Sequence, residues 1–269
     1  MPIAKTQDGC EINFEVYGAA SAPALIVGYP WCTGWAKMQQ SMFGGNQAAL
    51  DAMLQMNSQV IDTLATKFKV LHIDYPRGCA PTTGPFEGDL SAETVTSDYL
   101  AIADAAGVDK FVAVGYSWSA SFGIQVASRT PRCAGAAVGA WPVLDAPHEQ
   151  LKAIVEASAK AAPAGSPMSK IMISNSNYYD SIISNWDQEL ALVSLKEKAG
   201  FLYLFVGGND RGVPGMAVPI AERIVETRER LERTGWKVDV LEGHDHIALA
   251  MDSSRWLGRF MNHFENKTW

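Results

Sequence analysis

Short apolar runs alternate along this chain with stretches whose apolar positions recur every three or four residues. Period two marks a strand and period 3.6 marks one face of a helix. Asp8-Gly9, between two short runs, reads as a hairpin turn, because glycine tolerates the positive φ such a turn demands. Residues 11–17 then alternate, with Ile12, Phe14 and Val16 on one face. Further strands are expected at 24–28, 69–74, 110–115, 135–141, 201–207 and 236–241. Helical spacing falls between them. Leu50, Leu54, Ile61 and Leu64 mark a helix over 46–66, and Val95, Tyr99 and Ile102 mark one over 94–106. A third runs from the 110–115 strand to about Ser128, and a closing helix is expected over 251–264. Residues 216–234 form a charged helix with Glu226/Arg230 and Glu229/Arg233 at i,i+4, which reads as a solvated face.

Strands separated by helices imply an α/β fold, a mostly parallel twisted sheet with helices on both faces. Residues 143–198 break the rhythm: they hold no convincing strand and include Pro147, Pro163 and Pro167. They read as a helical cap inserted before the penultimate strand, over a core formed by 1–142 and 199–269. The connection over 36–60 looks longer than such a fold usually needs.

Composition narrows the class. The chain has 269 residues, of which 48% are apolar and 19% charged, so it can bury a core, and disorder, coiled coil and collagen are excluded. Lys plus Arg number 22 against 29 Asp plus Glu, a net charge of −7, which argues against nucleic acid or an anionic membrane as the main partner. No basic start followed by an apolar run reads as a signal peptide. The longest largely apolar stretch, 133–144, is broken by Gly135, Gly139 and Pro142 and falls short of the roughly 20 residues a bilayer needs. Cys10, Cys32, Cys79 and Cys133 include no Cys-x-x-Cys pair. The expectation is a cytoplasmic protein with reduced thiols, no cofactor and no metal, acting on a small molecule as a monomer or homodimer. Eight tryptophans in a chain this poor in charge remain to be placed.

In open α/β sheets ligands sit at the C-terminal ends of the strands. The apolar run 111–114 leads into Gly115-Tyr116-Ser117-Trp118-Ser119 and then a helix. A strand, tight turn and helix with serine at the apex needs small residues two before and two after it, because the backbones come close there. Gly115 and Ser119 are small, though the usual residue at the second position is glycine. The plainer reading is a surface serine capping a helix. A serine hydroxyl needs a base to take its proton and an acid to orient that base. His72 lies within a strand, His148 in the cap interval and His263 on the closing helix. That leaves His244 and His246, after the last strand.

Here the chain resembles the α/β-hydrolase family, in which the order is serine, acid, histidine. The resemblance spans roughly residues 11–264. Leu241-Glu242-Gly243-His244-Asp245-His246 matches the family's final loop when His246 is the base. Gly208-Asn209-Asp210-Arg211-Gly212-Val213-Pro214 resembles its acid turn, which makes Asp210 the acid and Asp145, one strand earlier, the fallback. The family's oxyanion hole implies the backbone N–H of Trp118 and a second N–H from Val27-Gly28-Tyr29-Pro30. Proline has no N–H, so Tyr29 takes that role. Val27 stands where the family usually has a histidine that braces the loop. Asp74-Tyr75-Pro76-Arg77-Gly78 resembles a family segment that shapes the loop beside the site.

Trp31, Trp118 and Trp141 fall just after strands, and Trp31 and Trp141 are assigned to substrate binding with Trp118. In the cap interval Tyr178, Tyr179 and Trp186 are lid candidates, and Met168 and Met172 are spaced i,i+4. The resemblance implies a cofactor-free serine hydrolase with Ser117, His246 and Asp210 as its triad. It would cleave an ester or lactone with an apolar or aromatic part. The same triad could serve C–C bond hydrolysis, acyl transfer or perhydrolysis, and a non-catalytic binding protein is the remaining alternative.

Overall fold

The computed structural model describes residues 2–42, 44–78, 90–198, 200–213, 215 and 217–265. The hairpin comes first: β1 (Ile3–Lys5) and β2 (Glu11–Tyr17), antiparallel, with Gly9 at φ +82° in the turn. Then follow β3 (Ala24–Val27), α1 (Thr33–Met42), α2 (Gln47–Ala65), β4 (Lys69–Ile73), α3 (Ala92–Ala105), β5 (Phe111–Tyr116) and α4 (Trp118–Arg129). β6 (Cys133–Gly139) leads into α5 (His148–Ala161), α6 (Pro167–Asn185) and α7 (Gln188–Lys198). The chain closes with β7 (Phe201–Gly207), α8 (Ile220–Arg233), β8 (Lys237–Leu241), α9 (His246–Met251) and α10 (Ser254–Glu265).

The strand order is β1-β2-β4-β3-β5-β6-β7-β8, and every pairing from β4 onward is parallel. Central strands buried on both faces carry continuous apolar runs. In β3, Leu25 and Val27 point to one face and Ile26 to the other. The first face is filled by Val60, Ile61 and Leu64 of α2 and Trp256, Phe260 and Phe264 of α10. The second is filled from α3, α4 and α8 and continues into α5 and α6.

The 36–60 connection resolves into α1 and α2, the second started by Asn46, whose side chain accepts from Ala49 N–H at 3.2 Å. In the interval after β6, α5 and α6 pack chiefly on each other, while α7 packs on α4 and β6 as a regular crossover helix does. Two expectations about exposed faces change. Val16 is exposed, and Arg230 of α8 pairs with Glu189 of α7 in place of its i,i+4 neighbour. The other α8 ion pairs are Arg223–Glu226 and Arg228–Glu232, all exposed and worth little each. Cys10, Cys32 and Cys133 are buried, while Cys79 lies outside the described residues. Among the described residues no helix is long and apolar enough to cross a membrane, and no group of three His, Cys, Asp or Glu side chains could hold a metal.

Candidate active site

Three strand ends meet at one point. β5 ends at Tyr116, and Ser117 follows with φ +56° and ψ −118°, a left-handed conformation costly for a residue with a Cβ. The turn is this sharp because α4 starts at once and folds back on the strand. A Cβ on Gly115 would lie 2.4 Å from the Ser119 carbonyl oxygen, so only glycine fits. The Ser117 N–H donates to the Gly139 carbonyl at 2.8 Å, tying the turn to the end of β6.

β7 and β8 supply the other two groups. Asp210 follows β7 and is 1% exposed, and His246 opens α9 after β8 and is 4% exposed. Their loops are laced together: Gly208 N–H donates to Leu241 O and Asn209 N–H to His244 O, both at 2.9 Å. Gly207 permits this approach, since a Cβ there would meet the His244 carbonyl at 2.4 Å. Asp245 caps α9 by accepting from Ala248 N–H at 2.8 Å, which fixes His246 in the first turn.

The side chains form one chain of hydrogen bonds. His246 Nδ1 lies 2.9 and 3.0 Å from the two carboxylate oxygens of Asp210, and its Nε2 lies 2.9 Å from Ser117 Oγ. Asp210 also accepts from Gly212 N–H at 2.8 Å. A carboxylate at Nδ1 holds the proton on that nitrogen and leaves Nε2 free to accept from the serine. Tyr116 holds His246 from behind: its hydroxyl donates to the His246 carbonyl at 2.7 Å, and the rings are 5.3 Å apart. Burial pushes the Tyr116 hydroxyl well above its ordinary pKa, so it stays a donor.

The remaining histidines and the fallback acid lie elsewhere. His244 Nδ1 sits 2.9 Å from the Glu242 carbonyl, His72 Nε2 sits 2.9 Å from the Trp31 carbonyl, and His263 packs against Phe201. Asp145 is exposed, with its N–H bonded to Gln188. Pro214 lies outside the described residues.

A cavity of ≈ 260 Å³ opens beside Ser117 and His246. Tyr29, Trp118 and Trp141 line it from the strand ends, and Met168, Met172 and Tyr179 line it from α6. Trp141 and Tyr179 lie nearly parallel, 4° apart in plane. Among the described residues no Asp, Glu, Lys or Arg faces this space.

The assignment of Trp31 to substrate binding is corrected. Trp31 is fully buried on the opposite side of the sheet, stacked 5.3 Å from Trp256. The turn after β3, closed by Trp31 N–H to Gly28 O at 3.1 Å, sends its side chain into the α2–α10 layer. Trp35, which sequence reasoning missed, takes the place expected of it. Trp35 sits on α1, a helix hidden in what read as an irregular connection. Of the other lid candidates, Tyr178 is buried and bonded to Ser121, and Trp186 packs on His148 away from the cavity.

Tyr29 and Trp118 bracket the serine. Trp118 is the first residue of α4, and the leading N–H groups of a helix have no partner within it. The rings of the two residues meet edge to face at 5.9 Å. Asp74 shapes the adjoining loop by accepting from Gly34 N–H at 2.7 Å.

The strand order, the turn at Ser117 and the placement of Asp210 and His246 after the last two strands define an α/β-hydrolase fold. An esterase from Thermogutta terrifontis superposes with a TM-score of 0.63 over 98% of this chain and 97% of its own, at 17% identity. An esterase from a Rhodococcus species does so at 0.60 over the whole of both chains, at 16% identity. An E-2-(acetamidomethylene)succinate hydrolase gives 0.60 over 98% of this chain and 100% of its own, at 15% identity. No protein-family model matches the sequence, and no curated protein matches it. At these identities the likeness establishes the fold.

Proposed function

We propose that this chain is a serine hydrolase that cleaves a carboxylic ester or lactone through an acyl-enzyme. One observation carries the reading: the Asp210–His246–Ser117 chain of hydrogen bonds ends at a hydroxyl that opens on an apolar cavity. The esterases that share the fold support the same class.

In this reading Ser117 Oγ attacks the substrate carbonyl carbon while His246 Nε2 takes its proton. Asp210 keeps the imidazole oriented and stabilises its cation. The carbonyl oxygen becomes an oxyanion between the N–H groups of Tyr29 and Trp118. Collapse of this intermediate breaks the C–O bond, and His246 returns the proton to the leaving alkoxide. Water then attacks the acyl-enzyme with His246 again as base, releasing the acid and free Ser117. Within residues 143–198, α5 and α6 act as the cap and form the outer wall, while α7 packs with the core. A cavity without Asp, Glu, Lys or Arg among its described lining residues fits an uncharged, apolar or aromatic substrate part.

The test is a fluorophosphonate probe followed by peptide mass spectrometry, run beside an ester and lactone panel. The expected result is a single adduct on Ser117 and turnover of short apolar esters. A probe that leaves Ser117 unlabelled, or a panel preference for charged esters, would sink the corresponding half of the proposal.

A further inference from the structure

We infer that Ser119 is a positioning residue that locks the Tyr29 side of the oxyanion hole to the nucleophile turn. The inference rests on the serine-hydrolase reading above. Steric need explains only that residue 119 is small, because its backbone presses on Gly115; glycine or alanine would meet that need. The hydroxyl is additional, and it is fully used. Ser119 Oγ accepts from Tyr116 N–H at 3.0 Å and lies 2.5 Å from the Tyr29 carbonyl oxygen. The Tyr116 carbonyl is farther, at 3.3 Å, so the single hydroxyl proton goes to Tyr29. Ser119 is 2% exposed, so water does not compete for these contacts.

The geometry makes this hydroxyl a fixed joint between two loops. Tyr116 is the residue before the nucleophile, and Trp118, the residue after it, supplies one N–H of the hole. The Tyr29 carbonyl is one Cα away from the Tyr29 N–H that supplies the other. Both donors are therefore referenced to a single oxygen atom. The loop needs such a joint because Val27, wholly buried in the apolar layer beneath, offers no side-chain hydrogen bond to it. A hydrogen-bonded donor held in place before the reaction stabilises an oxyanion without reorganising. A looser Tyr29 loop keeps substrate affinity and loses rate.

The experiment compares wild-type protein with Ser119→Ala and Ser119→Gly, using a 4-nitrophenyl ester, an aryl trifluoromethyl ketone and the matching alcohol. The ketone forms a tetrahedral oxyanion on Ser117, and the alcohol only fills the cavity. Both variants should lower kcat by about 10- to 100-fold, short of the roughly 10²–10³ that loss of a whole donor costs. KM and alcohol affinity should stay within about twofold, while ketone affinity falls in step with kcat. Unchanged kcat would overturn the inference. So would equal weakening of ketone and alcohol, or failure of both variants to fold, since each makes the hydroxyl a general structural element. If the wild-type protein neither turns over esters nor binds the ketone, the underlying reading fails instead.

Discussion

Two buried polar clusters in this molecule use similar side chains to opposite ends. One is the Asp210–His246–Ser117 line. The other joins Arg77 to Asp98 of α3 and to Asp8 in the β1–β2 turn, with Tyr75 also donating to Asp98 at 2.9 Å. In the second, the guanidinium is saturated by carboxylates on two sides. Arg77 pulls the half-exposed Asp8 carboxyl down to about 2, whereas burial pushes Asp98 up against the same pull. The groups are turned on one another, and three distant segments are tied together. The first cluster is unsaturated at one end: its last hydroxyl faces a cavity. A closed network holds a fold, while a line of hydrogen bonds with one open end can pass a proton.

That contrast can be broken at four places. Ser117→Ala carries the largest effect: kcat should fall by about 10⁶ with the unfolding midpoint unchanged. Residual turnover well above that, measured with an activated ester, would relocate the nucleophile. Asp210→Asn keeps the shape of the acid but favours the wrong imidazole tautomer, and should cost about 10⁴ in kcat. A loss under tenfold would mean the carboxylate does not orient His246. Asp98→Asn should do the reverse. It strips a charge partner from buried Arg77, so urea titration should show a loss of about 3–5 kcal/mol. Its kcat per folded molecule should match wild type, and a matching fall in kcat would erase the distinction between the clusters.

The smallest effect concerns His148, which has no ionic partner among the described residues. It is packed among Trp141, Tyr179 and Trp186, and burial drives its pKa down to about 4. Its folded pKa lies below its unfolded value of roughly 6.5, so between these two the unfolded chain binds the extra proton. Stability is therefore intact above that window and declines as pH falls through it, by about 3 kcal/mol in all. In His148→Phe this part of the decline should vanish. Equal pH slopes for variant and wild type in urea titrations from pH 7 to 4.5 would contradict the assignment.

How much of this was legible in the sequence depends on how locally each feature is encoded. The parallel sheet is local, because buried strands are continuous apolar runs and their crossover helices keep a 3.6 period. Ser117, Asp210 and His246 are legible because each lies in the turn or loop that follows a strand, and strand ends converge by topology. Their mutual distances depend on strand register, which no single run contains. Trp31 misleads for a related reason: one turn residue decides which side of the sheet receives its indole. Trp35 is hidden because the weakly patterned residues around it do not announce a helix. Ser119 is visible as small, but its bond to Tyr29 spans 90 positions of chain.

The two methionines of α6 give the cavity a property of their own. Met168 and Met172 place unbranched thioethers, with three rotatable bonds each, among the stiffer aromatic and branched side chains of the wall. Such a wall remoulds around acyl groups of different shape, which favours breadth over strict selection. The same sulfurs are the soft spot under oxidant: a sulfoxide sets a strong dipole into a lining with no Asp, Glu, Lys or Arg among the described residues. Peroxide treatment should then raise KM for apolar esters, and methionine sulfoxide reductase should restore it.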